Sequence, residues 1–231
     1  MPRSIEELLV QQIRKSELTR ERRIEAGQPC VNPVITISRS MGSGGRIVAG
    51  KVAEDLGFSL WDKELLDTIA RGAAVSRRVV EAFDEKTVSE IVLLAHAAFG
   101  NRQMGDFVYG RHLARAVAEI ASLGNAVILG RGANFLLPNA LHVRIDASLE
   151  RRIENMMNYE SIDRRSAEAR LRKSDKERAR FVMRVFGKER VQDFRYDVAI
   201  CMDKFTPDEA AEIIEAAHRA VFKVVSPPPV V

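Results

Sequence analysis

The stretch Pro33-Val34-Ile35-Thr36-Ile37-Ser38 constrains the fold of this chain more than any other. It is short, rich in β-branched residues and free of charge, the pattern of a strand buried on both faces rather than on one. A Gly-rich turn, Met41-Gly42-Ser43-Gly44-Gly45, follows at once, and then a helical stretch from Arg46 to Leu56. In that stretch Ile47, Val48, Val52, Ala53 and Leu56 lie along one side, and Gly57 is a good stop. A strand buried on both faces needs a layer of helices on each.

Four further short strands suit the same sheet: Phe58–Trp61, Asn125–Leu129, Leu141–Asp146 and Asp197–Cys201. Helical stretches separate them, at 63–123 with a looser part over Gly100–Gly110, from Leu149 to about Phe186, and over Pro207–Phe222. Strands alternating with helices predict an α/β fold, a five-stranded parallel sheet with helices on both faces. Ahead of it, Ile5, Leu8, Leu9, Ile13 and Leu18 give residues 1–27 the spacing of a charged amphipathic helix, which Gly27-Gln28-Pro29 ends. The expected organisation is a helical extension at 1–32, one domain at 33–223 and a flexible Pro-rich tail at 224–231. The extension is a candidate surface for a homo-oligomer.

Ligands of such sheets sit at the carboxyl ends of the strands. Three features fall there: Ser40–Arg46, Asp62-Lys63 and Gly130-Arg131. In the first, Ser40, Gly42, Ser43, Gly44, Gly45 and Arg46 are candidates to cradle phosphate, because a glycine turn leading into a helix N-terminus offers successive backbone N–H groups. The strict pattern G-x-x-x-x-G-K-[ST] fails, since Gly45 stands where lysine is expected. Asp62 either holds the water of a Mg²⁺ ion or caps the helix that follows. Arg131 can either grip a phosphate with two parallel hydrogen bonds or form a surface ion pair with a neighbouring helix. A fourth feature, Lys173–Arg180, puts Lys176 and Arg180 on one helix face with Arg178 to the side. It reads either as a solvated helix or as a basic flap over a triphosphate.

These residues together resemble a known family. Val34–Arg46 is similar to the "ITISR-x-x-GSGGR" opening of the cytidylate-kinase-like family, P-loop relatives of nucleoside monophosphate kinases. Trp61-Asp62-Lys63-Glu64-Leu65-Leu66, Val127–Asn134 and Ser174–Ala179 continue the resemblance in order. It implies a three-layer P-loop kinase fold, and ATP-dependent transfer of the γ-phosphoryl group to CMP, dCMP or a similar monophosphate, with Mg²⁺. The cytosine nucleotides are the first expectation. The resemblance places the ATP phosphates in Gly42–Arg46 and makes Arg46, Lys176, Arg178 and Arg180 the catalytic cations. It puts the acceptor phosphate near Asp62, Lys63 and Arg131, the monophosphate-binding region in 63–118, and the lid in 160–190. Against well-characterised cytidylate kinases, Gly45 replaces the loop lysine and Ile47 the Mg²⁺-binding Ser/Thr; Leu129 and Gly132 replace the carboxylates flanking Gly130-Arg131. Arg39 or Arg46 is a candidate to supply the missing charge. A nucleotide-binding protein with little or no kinase activity is the alternative.

Composition narrows the remaining classes. No apolar run is long enough to span a bilayer, and Cys30 and Cys201 form no CxxC pair, so a cytoplasmic location without membrane contact is expected. His96, His112, His142 and His218 show no metal spacing, and no serine has a G-x-S-x-G context. The formal net charge is +4, while Arg144–Arg195 alone holds fifteen Lys/Arg against ten Asp/Glu. That surplus suits a nucleoside triphosphate or a nucleic acid, and the loop and flap favour the first. Binding to DNA or RNA is therefore expected to be weak. Fluorescence anisotropy should show it falling steeply as salt rises from about 50 to 200 mM, without sequence preference, as attraction to phosphate alone does.

Overall fold

The computed structural model describes residues 32–71 and 104–222, together with residues 7, 8, 10–15, 18 and 21. The expected residues 72–103 of the monophosphate-binding region and the tail at 224–231 lie outside them. The central strand β1 (Val34–Arg39) leads through the glycine turn into α1 (Gly45–Asp55). Next come β2 (Ser59–Trp61), α2 (Lys63–Arg71), α3 (Met104–Leu123) and β3 (Ala126–Leu129). A single 3₁₀ turn (Ala133–Phe135) precedes β4 (Leu141–Asp146). The chain continues with α4 (Leu149–Glu160), α5 (Arg164–Phe186), α6 (Lys188–Asp193), β5 (Val198–Cys201) and α7 (Pro207–Phe222). The sheet order is β2-β3-β1-β4-β5 and every pairing is parallel. This is the α/β, five-stranded parallel fold that the strand pattern predicts.

Successive strand residues face opposite layers. Ile35, Ile37, Val127, Leu129, Leu141, Val143 and Ile145 pack with α1 and α7, whereas Val34, Ala126 and Ile128 pack with α2 and α3. β1 is hydrogen-bonded on both sides, with Ile37 beside Leu129 and Val143. The expected looser stretch ends sooner than its glycines suggest, for α3 is helical from Met104. Leu113, Ala114, Ala116, Val117 and Ile120 are fully buried along this helix, and tertiary packing of such a stripe outweighs the cost of a glycine. The helices expected from Leu149 to about Phe186 are two, α4 and α5. Ser161 turns the chain at φ +51, and Asp163 caps α5 by accepting from the Ser166 amide at 3.0 Å.

Some of the described residues near the N-terminus meet the β2 edge of the sheet. Gln12 Oε1 accepts a hydrogen bond from the Leu60 amide of edge strand β2 at 2.8 Å, and Leu8 and Ile13 pack against the α2–α3 layer. This covers an edge that could otherwise pair with another chain.

One buried polar pair gives the fold a pH signature. Thr36 Oγ1 lies 2.8 Å from His142 Nδ1, and the His142 ring packs edge-on to Phe194 at 5.1 Å. Burial lowers the His142 pKa from its ordinary 6.5, although Asp197 opposes this. Below pH 6.5 the unfolded chain therefore takes up the proton first, and stability falls as pH drops toward the folded-state value. Thermal melting should be flat above about pH 7 and decline as pH falls below about 6.5. A His142→Gln variant should lose that part of the slope.

Candidate functional site

The carboxyl ends of β1, β3 and β4 open into a cleft of about 830 Å³, roofed by α5. Six cations line it (Arg39, Lys63, Arg131, Arg144, Arg152 and Arg178), against three carboxylates (Asp146, Asp175 and Glu177). The excess of positive charge suits a polyanion. α5 contributes Ser174, Arg178, Phe181 and Val182 at helical spacing, with Asp175, Glu177 and Ala179 beside them. Lys176 and Arg180, on the other side of the helix, are exposed and outside the wall. The flap cations thus divide: of Lys176, Arg178 and Arg180, only Arg178 lines the cleft.

The glycine turn is held from behind by α4. Arg152 Nε donates to the Met41 carbonyl at 2.6 Å, and Asn155 Nδ2 donates to the Gly42 carbonyl at 2.8 Å. Gly42 has φ +77, and a Cβ on it would stand 2.7 Å from the Arg152 carbonyl oxygen, so backbone and packing both demand glycine. Gly44 has φ +79 and faces open space. Ser43 Oγ is spent within the turn, donating to the Ser40 carbonyl at 2.9 Å. Ser40 Oγ lines the cleft and accepts from Arg144 Nη2 at 2.7 Å. The amides of Gly42, Ser43 and Gly44 have no partner among the described residues, which leaves them as donors for an anion.

Asp62 and Arg46 form an ion pair at 3.0 Å, with 72% of the Arg46 side chain exposed. The other Asp62 oxygen caps α2, accepting from the amides of Glu64 at 3.0 Å and Leu65 at 3.2 Å. Arg131 (φ +52) pairs with Asp67, and its guanidinium lies 4.8 Å over the Phe181 ring. Tyr109 donates to the second Asp67 oxygen at 2.7 Å. Arg178 donates to the Arg39 carbonyl. Burial lowers the Arg178 pKa, as do Arg144, Arg152 and Arg131, while Asp175 opposes the shift.

Arg39 is the least satisfied of these cations. It makes no side-chain hydrogen bond or ion pair among the described residues, and burial, then the Arg178 charge, push its pKa down to about 10. Two further polar atoms of the cleft residues are buried without partners: Arg131 Nε and Asn134 Nδ2. All three are donors, a set that suits an acceptor-rich group. Phosphate oxygens fit that set. A protein-held Mg²⁺ does not. Asp62, Asp146 and Asp175 each spend oxygens on an arginine, Asp175 with both on Arg152. Among the described residues no three His, Cys, Asp or Glu stand together as metal ligands.

Sequence reasoning singles out Arg131, Arg178, Ser40 and Lys63, which share this cleft. It passes over Arg144, Asp146, Arg152, Asp175 and Asn134. The signal for two of them was the alternation Leu141-His142-Val143-Arg144-Ile145-Asp146, in which a central parallel strand puts three polar residues on one face.

The model of the cytidylate kinase-like family matches residues 34–204. The chain belongs to the cytidylate kinase-like family. Among solved structures, an uncharacterized protein from Eubacterium ventriosum is 24% identical with a TM-score of 0.51, over 81% of this chain and 99% of that one. TT1252 from Thermus thermophilus is 19% identical with a TM-score of 0.46, over 84% and 98% of the two chains. Shikimate kinase from Bacteroides thetaiotaomicron is 16% identical with a TM-score of 0.44, over 83% and 99%. No curated protein matches the sequence. In this family member the loop lysine is absent, and arginines from β1, β4, α4 and α5 surround the place where phosphate is expected.

The α4 clamp is testable. Arg152 is 7% exposed and holds both Asp175 and the Met41 carbonyl. Arg152→Ala is expected to cost about 2–4 kcal/mol, the range for losing a buried hydrogen-bonded charge network, measured by urea unfolding.

Proposed function

We propose that this cytidylate kinase-like protein binds a nucleoside triphosphate at the glycine turn and transfers its γ-phosphoryl group to a nucleoside monophosphate, with CMP or dCMP the first candidates. The observation that carries the reading is the donor-only character of the unpaired groups: Arg39, Arg131 Nε, Asn134 Nδ2 and the turn amides all await acceptors. Family membership supports nucleotide as the source of those acceptors.

In this reading an oxygen of the acceptor monophosphate attacks the γ-phosphorus. The bond from that phosphorus to the β–γ bridging oxygen breaks, ADP leaves, and the acceptor becomes a diphosphate. The acceptor oxygen is already anionic, so no protein base is needed, and catalysis consists of positioning and charge neutralisation. The turn amides hold the donor phosphates, Arg131 orients the acceptor, and Arg178 neutralises charge that builds up between them. Divalent metal enters with ATP as substrate, bound by phosphate oxygens and water rather than by a protein cage. Lys176 and Arg180, as parts of a lid, act only if α5 rolls toward the cleft.

A second reading, nucleotide binding with little turnover, has its own support. Ile47 replaces the Ser/Thr that would meet the metal, and the carboxylates Asp62, Asp146 and Asp175 are tied to arginines.

One assay separates the two: incubation with ATP·Mg²⁺ and a panel of nucleoside monophosphates, with diphosphate products quantified. CDP or dCDP formation is expected. Saturable ATP binding without any diphosphate selects the second reading. If the protein turns over, Arg178→Ala should lower kcat by about 10²-fold or more, the scale of one preorganised donor, with a smaller change in ATP affinity. Near-parental kcat would remove Arg178 from the chemistry.

A further inference from the structure

The general phosphate loop opens with a glycine and carries its lysine just after its last glycine. In this chain those two positions are Arg39 and Gly45, so the small residue and the cation have changed places. Their side chains compete for the same space. A Cβ on Gly45 would stand 2.7 Å from Arg39 Cβ and 3.1 Å from its Cγ. Those atoms sit at the root of the arginine and cannot swing aside, so the stem of Arg39 occupies the room a residue-45 side chain would need. Farther out, Arg39 Nη1 falls 2.2 Å from where a Cβ on Gly130 would be. The side chain thus runs from the end of β1, over the first residue of α1, to the turn after β3. Arg39 lines the cleft together with Arg131 and Asn134, whose Nε and Nδ2 are buried without partners.

We propose that Arg39 is the polyphosphate-gripping cation of this chain, doing from the end of β1 what lysine does from the start of the helix in the general loop, and that Gly45 is glycine to let it pass. The proposal rests on the nucleotide reading only for what the phosphates are attached to. A half-buried guanidinium among other arginines, with Asp62 acting on it only from beyond ion-pair distance, is destabilised until an anion arrives. Arginine is suited to this place because its planar fork bonds two phosphate oxygens at once, whereas an ammonium acts as a point charge. The alternative cation, Arg46, is exposed and tied to Asp62.

The test compares the parent protein, Arg39→Gln and the double variant Arg39→Gly/Gly45→Lys, with inorganic tripolyphosphate and with ATP as separate probes. Melting temperature and calorimetric affinity are read for each. Tripolyphosphate is expected to raise the parent's melting temperature and to bind Arg39→Gln about tenfold or more weakly, the scale of one charged hydrogen bond. Ligand-free Arg39→Gln is expected to melt no lower than the parent, since it sheds an unpaired charge. The double variant, with lysine back at the loop position and its space cleared, is expected to recover binding relative to Arg39→Gln. Equal tripolyphosphate affinity in parent and Arg39→Gln overturns the proposal, and so does no binding to the parent. A lower ligand-free melting temperature with unchanged affinity assigns Arg39 a structural role and also overturns it. No recovery in the double variant overturns the exchange with position 45. Arg39-dependent binding of tripolyphosphate without binding of ATP sinks the nucleotide reading and leaves Arg39 in place.

Discussion

β1 is hydrogen-bonded to β3 on one side and β4 on the other, so its last residues emerge at the middle of the sheet with no freedom to shift register. Sliding by one residue would turn Ile35, Ile37 and Arg39 together to the opposite face, away from α1 and from the room beside Gly45. The pairing therefore sets the direction of Arg39 and the starting point of the glycine turn at once. α4 completes the constraint: through Arg152 and Asn155 it draws the Met41 and Gly42 carbonyls backward, so the turn keeps its N–H groups for the cleft side.

The two faces of the sheet carry different burdens. The α1–α7 side is apolar from β1 through β5, and it supplies the burial that holds the domain together. The opposite face is apolar near β2 and β3 but polar along β4, where His142, Arg144 and Asp146 follow one another. That face closes with arginines from α4 and α5 and with the ring of Phe181 under Arg131. Like charges held this close destabilise one another, and the lowered pKa values of Arg39 and Arg178 record that strain alongside burial. A folded protein keeps such a cluster where binding relieves it. The arrangement moves positive charge off the loop helix and onto the strand ends and the roof, consistent with a loop that lacks lysine.

Much of this was legible in the residues themselves. Short runs rich in apolar residues identified the strands, and the glycine turn after the first of them marked a candidate site at a strand end, because both depend on local sterics and short-range periodicity. Arg131 and Arg178 were legible as candidates for the same reason. Boundaries were less so. Met104–Gly110 looked loose from its glycines, yet it is helix, because a buried stripe farther along carries it.

Distance in sequence hid the rest. Arg152 meets Met41 across 111 positions and Asp175 across 23, and no local pattern marks either pairing. Lys176 and Arg180 looked equivalent to Arg178 by charge, and only the packing of α5 decided that Arg178 faces in while the others face water. The exchange between Arg39 and Gly45 lies between these cases. The two residues stand six positions apart in plain view, but that one fills the other's space is decided by the turn that brings strand and helix together. Sequence by itself determined the kind of fold and the glycine turn and cations that stand at the strand ends, since periodicity and glycine sterics act within a few residues. Tertiary structure decided which charges meet there, since those charges come together only when helices far apart in the chain close over the sheet.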